Sequence, residues 1–166
     1  MNPIASLIDL MSPLELNEEE YLSYFDRQKG EIVSVDRSIL SAVEEGEDED
    51  LEDHVPAWQK EEIETVRAIV ADQSGRFIDP PDKVDFDEYR HMERFIETIT
   101  NPTIANQLWK AIKGPSAFRT FKDTLYRLGL ENRWFQYRDQ AIKQFVIEWA
   151  EANHVAYKDD FKREYK

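Results

Sequence analysis

Arg119, Lys122 and Asp123 are the side chains whose types and spacing could do chemistry. On a helix they lie within a turn and a half, so the two cations could hold a phosphate while the carboxylate serves as base or metal ligand. The same spacing allows a plainer outcome, because Arg119 and Asp123 are four apart and can pair with each other. Arg127, Arg133, Trp134 and Arg138 extend the cluster. Between Gly114 and Lys143 six bases are offset by three acids, Asp123, Glu131 and Asp139. Phe135 and Tyr137 lie among them. Arginine with aromatic rings can clamp phosphate, stack on nucleobases or form a protein-binding hot spot. A structural reading weighs most, with Arg119–Asp123 and Arg138–Asp139 pairs and a core Trp134. Partner binding comes second and catalysis last.

The common catalytic constellations are missing. His54, His91 and His154 are scattered, and none has His-Glu-x-x-His spacing. His91, three residues from Arg94, suits an ionic or hydrogen-bonded surface role. No Gly-x-Ser-x-Gly elbow is present, and the five glycines spell neither a P-loop nor a dinucleotide fingerprint. Without cysteine there are no disulfides, thiolate metal sites or thiol nucleophiles, which fits a reducing compartment. The sequence therefore offers no catalytic residue, no metal site and no cofactor site, and leans against an enzyme.

The cluster needs two helices to position it. Phe118, Phe121, Leu125 and Leu128 fall on one helical face, with Arg119, Lys122, Asp123 and Tyr126 opposite. Gly114 ends the preceding helix, Pro115 starts this one, and Gly129 ends it, so the turn spans Leu128–Asn132. A second helical pattern runs from Trp134 to Ala152, with Ile142, Phe145, Val146 and Trp149 on one face.

The stretch GPSAFRTFKDTLYRLGLENRWFQYRDQ, from Gly114, resembles the C-terminal signature of uncharacterised protein family (UPF) 0158, a bacterial group. YFDRQKGEIV (Tyr24–Val33) and EYRHMERFIE (Glu88–Glu97) resemble the same family. The resemblance implies a bacterial, soluble origin. It implies no activity and no catalytic residues. The acidic segment near Glu44 is not part of the signature.

Elsewhere the chain alternates elements. Asn2 with Pro3 predicts a short helix to Met11, with Leu7, Leu10 and Met11 on its apolar side. Residues 19–36 read as a hairpin turning at Gly30. A calcium-loop reading of Asp26–Glu31 fails for want of alternating oxygen ligands. Arg37–Val43 makes a helical turn. Pro56 opens a helix with Ile63, Val66 and Val70 on one face, and Arg76–Asp79 forms a third antiparallel strand. Asp85 with Glu88 makes a capping box before a helix carrying Tyr89, Met92, Ile96 and Ile99. Asn101 and Pro102 start the next, with Ile104, Leu108, Trp109 and Ile112. The class is α+β, with about three antiparallel strands and a mainly C-terminal helical bundle. Residues 1–166 read as one domain, with an acidic mobile loop at 44–55 and a charged tail at 158–166.

Charge is distributed unevenly. Residues 1–56 hold 16 acids and 3 bases, while the whole chain is −14. The acidic total disfavours nucleic acid at long range. No apolar run reaches membrane-spanning length and no secretion signal opens the chain, so a cytoplasmic location is expected and a membrane partner is not. The sequence does not give the oligomeric state. It points to a non-enzymatic interaction module that binds a protein partner through the basic–aromatic helices. The alternative is an enzyme or binder acting on a phosphorylated or nucleotide ligand through Arg119, Lys122 and Asp123.

Overall fold

The computed structural model describes residues 2–15 and 19–165. Lys166, the end of the expected tail, lies outside them. The chain divides into two compact units, Met1–Asp82 with Trp149–Asp160, and Lys83–Glu148 with Phe161–Lys166. The class is α+β, with helices mostly C-terminal.

The first unit opens with β1 (Ala5–Ser6), which pairs in parallel with β5 (Tyr157–Lys158). The expected helix therefore starts later than Asn2. The Ala5 amide is engaged with the Ala156 carbonyl, and Ser6 caps α1 (Leu7–Met11) by accepting from the Asp9 amide. Leu7, Leu10 and Met11 are buried, as their spacing predicts. The hairpin forms as read, from β2 (Tyr21–Asp26) and β3 (Glu31–Asp36). Gly30 turns it with φ +69°, and an added Cβ would lie 2.8 Å from Pro3 Cβ. Only glycine meets both demands.

Beyond the hairpin come α2 (Arg37–Glu44), α3 (Asp48–Glu52) and α4 (Ala57–Ala71). The stretch read as an acidic loop thus contains a short helix. Arg67 organises it, donating to Asp48 Oδ2 at 2.6 Å and to Glu52 Oε2 at 3.0 Å. Ile63 and Val66 of α4 are buried with Val35, Ile39 and Leu40. Val70 is exposed instead, and Ile69 takes the packing position. β4 (Phe77–Ile78) joins β2 as the third antiparallel strand. Asp26 fastens that edge. Its carboxylate accepts from Arg76 Nε and Nη2, both at 2.9 Å, and from the Gln28 amide in the turn.

The second unit is helical. α5 (Lys83–Phe86) precedes α6 (Glu88–Glu97). The cap is Asp87 rather than Asp85: Asp87 takes φ +54° and accepts from the Arg90 amide. Asp85 lies inside α5, whose Phe86 is buried and stacks on His91 at 4.3 Å. Asn101 caps α7 (Pro102–Ala111) through the Thr103 and Ile104 amides. α8 (Ala117–Leu128) and α9 (Glu131–Ala152) follow, with α9 belonging to this unit as far as Glu148. Gly129, at φ +71°, closes α8 while the Leu130 amide reaches back to the Leu125 carbonyl, and both leucines are buried. The core gathers Met92, Phe95, Ile96, Leu108, Phe121 and Trp134. Each such side chain contributes about 1.5–3 kcal/mol on leaving water.

Candidate functional site

α8 is one-sided, and that asymmetry creates the surface of interest. Phe121, Thr124 and Leu125 are its buried residues, so the inward face is narrower than the apolar spacing suggests. Phe118, expected inside, is 49% exposed. With it outside, Phe118, Lys122 and Tyr126 stand at every fourth position, a stripe about 12 Å long at the helical rise. Tyr126 is 75% exposed. Arg119, Asp123 and Arg127 flank this stripe and are exposed too.

The seven residues singled out by sequence fare differently. Arg119, Lys122 and Asp123 are exposed, and among the described residues Arg119 and Asp123 form no ion pair with each other. Arg127 Nη1 donates to Gln107 Oε1 at 3.1 Å, a contact with α7 that leaves its charge uncompensated. Arg133, on the first turns of α9, is exposed, and Phe135 is partly so. Trp134 belongs to the core instead of the surface: it is 1% exposed and meets Phe121 edge-on at 5.1 Å and Phe95 at 5.3 Å. Arg138 is half-buried and pairs with Glu88, not with its neighbour Asp139. Successive helical residues point about 100° apart, so the Arg138–Asp139 pair was geometrically disfavoured.

Asp139 is the residue that sequence reasoning undervalued. It is 1% exposed and accepts from Arg163 Nη1 and the Tyr165 hydroxyl. Nothing local announces these partners, which lie 24 and 26 residues away. Burial, with Asp139 beside it, pushes the Tyr165 phenol up to about 12. His91 is also shifted: burial, then the charge of Arg94, holds its imidazole below the ordinary range.

The exposed set is cationic and aromatic, with Arg119, Lys122, Arg127 and Arg133 beside Phe118 and Tyr126. Such a set can engage carboxylates or phosphates while its rings supply contact area. Among the described residues no group of three or more His, Asp or Glu is placed to hold a metal ion. Nor is any helix among them long and apolar enough to cross a membrane.

No curated protein and no solved structure matches the chain. A family model matches residues 1–164, and the chain thus belongs to the uncharacterised protein family UPF0158.

Proposed function

We propose that the protein is a non-enzymatic interaction module that binds a protein partner through the outward face of α8 and the start of α9. One observation carries this reading: Phe118, Arg119, Lys122 and Tyr126 share an exposed face, while Trp134 and Phe121 anchor that face from behind. A rigid helix presenting rings and cations loses little entropy when it binds. An enzyme holding phosphate through Arg119, Lys122 and Asp123 would need those groups to converge on one reacting atom. All three are exposed, and among the described residues no hydrogen bond fixes any of their side chains, which favours the interaction reading.

The test compares partners retained from cell extract by the unmodified chain and by an Arg119→Glu, Lys122→Glu double variant. Lys60→Glu, on α4, serves as a matched charge control. The expected result is a stoichiometric partner kept by the unmodified chain and the control but lost by the double variant. Equal retention by all three forms would sink the reading.

A further inference from the structure

Asp139 is a carboxylate inside a helical core unit, and such a group needs donors. It receives them from the far end of the chain. Arg163 Nη1 lies 3.2 Å from Oδ1 and 3.1 Å from Oδ2, and the Tyr165 hydroxyl is 2.5 Å from Oδ2. The guanidinium of Arg163 also sits over the Phe161 ring, 5.6 Å from its centre. The segment 161–165 forms neither helix nor strand. Side chains hold it, and the Arg163 side chain is still 47% exposed while the carboxylate it grips is not. The arrangement has the form of a socket with an occupant: a fixed, buried acceptor on α9 and a short aromatic-x-Arg-x-Tyr segment inserted from outside.

We infer that Asp139 is a guanidinium-binding socket, and that Phe161–Tyr165 is a displaceable plug standing in for an arginine-bearing peptide of the same pattern. A segment without backbone ladder bonds belongs to the readily opened part of a fold. Its tether keeps its effective concentration in the millimolar range, so the closed socket excludes a weak competitor. A partner segment supplying both an arginine and a neighbouring tyrosine reproduces the plug's contacts and takes its place. This surface is separate from the cationic face of α8 and stands whether or not that face binds a partner.

The experiment titrates a fluorescently labelled peptide, Phe-Lys-Arg-Glu-Tyr-Lys, into full-length forms of the protein and reads anisotropy. The Arg163→Ala, Tyr165→Phe double variant has an empty socket and binds the peptide about tenfold or more tightly than the unmodified chain does. Adding Asp139→Asn to that variant weakens binding by about tenfold or more. Equal binding with and without Asp139→Asn, or no binding to the double variant, overturns the proposal. Should the double variant fail to fold, the conservative Asp139→Asn single variant decides. There the Tyr165 phenol, followed by NMR, falls from about 12 toward its ordinary range. A Tyr165 titration unmoved by Asp139→Asn shows that the plug is held by something else, and the socket is refuted.

Discussion

The two units use charge in opposite ways. Residues of the first carry 25 acids and 7 bases, and those of the second carry 10 acids and 14 bases, so the units stand at −18 and +4. In the acidic unit, guanidiniums are drawn into structure: Arg67 binds α3, Arg76 binds Asp26, and Arg27 donates to the Asn153 carbonyl. In the basic unit, Arg138 and Arg163 are used this way, but Arg119, Lys122 and Arg133 stand outside on helices. In the acid-rich unit these three guanidiniums find internal acceptors. In the base-rich unit several cations stay on the surface. The overall charge of −14 conceals this contrast.

The largest effects should come from removing what each unit relies on most. Arg76→Ala leaves Asp26, 2% exposed, without its ion pair and should cost about 3–5 kcal/mol in urea denaturation. Trp134→Ala removes the central ring of the second unit and should cost about 3–5 kcal/mol by the same measurement. Losses under about 1 kcal/mol for Arg76→Ala would break the contrast, since a structural arginine would then behave like a surface one.

A smaller effect is expected at the hairpin turn. Gly30→Ala forces a side chain into left-handed backbone and against Pro3, and should cost about 2 kcal/mol. A neutral outcome would mean that Pro3 moves aside freely.

Acid should sharpen the comparison, because the two units respond in different windows. The depressed carboxyls all lie in the first unit. The Phe77 amide and then the Ser74 hydroxyl bring Asp72 down to about 2. Ser38 lowers Asp36, Arg67 lowers Asp48 and Ser6 lowers Asp160. Burial alone would raise Asp26, but Arg76 and the turn amides outweigh it. These groups stabilise the first unit fully above the unfolded value of 3.8, and that stabilisation is lost as pH falls toward about 2. His91 has the same sign in a higher window: below 6.5 the unfolded chain takes up a proton that folded His91 resists, so the second unit weakens first. Residue-resolved NMR during an acid titration should show two separated responses. One shared transition would count against the contrast.

The smallest stability effect belongs to the exposed cations. Arg119→Glu with Lys122→Glu should change the unfolding free energy by less than about 0.5 kcal/mol each while abolishing partner retention. A large loss of stability would place these side chains among the structural ones.

Much of the fold was legible because it is written locally. The β2–β3 hairpin follows from alternation and Gly30, and the Asn101 cap and the Gly129 stop follow from residue type. The errors lie where distant residues decide. Asp85 and Glu88 matched a capping box, yet burial of Phe86 put the cap at Asp87. The acidic run near Glu44 looked unstructured because Arg67, the residue that orders it, is 15 to 19 positions away. The site was half legible. Arg119 and Lys122 could be placed outside from spacing, but Phe118 fitted the inward stripe equally well and only packing decided it. Asp139 was invisible as a buried acceptor because its donors come from the chain's end.

The parallel pairing of β1 with β5 carries a consequence for biosynthesis. Ser6 bonds to Asp160, a residue made 154 positions later. On a ribosome β1 emerges early but must wait, its partner strand β5 still unmade, while the hairpin gains β4 and the whole contiguous stretch from Lys83 to Glu148 appears. The strand translated first is therefore among the last to be paired, and a stalled or shortened nascent chain would leave the strand edge at Ala5 without its mate.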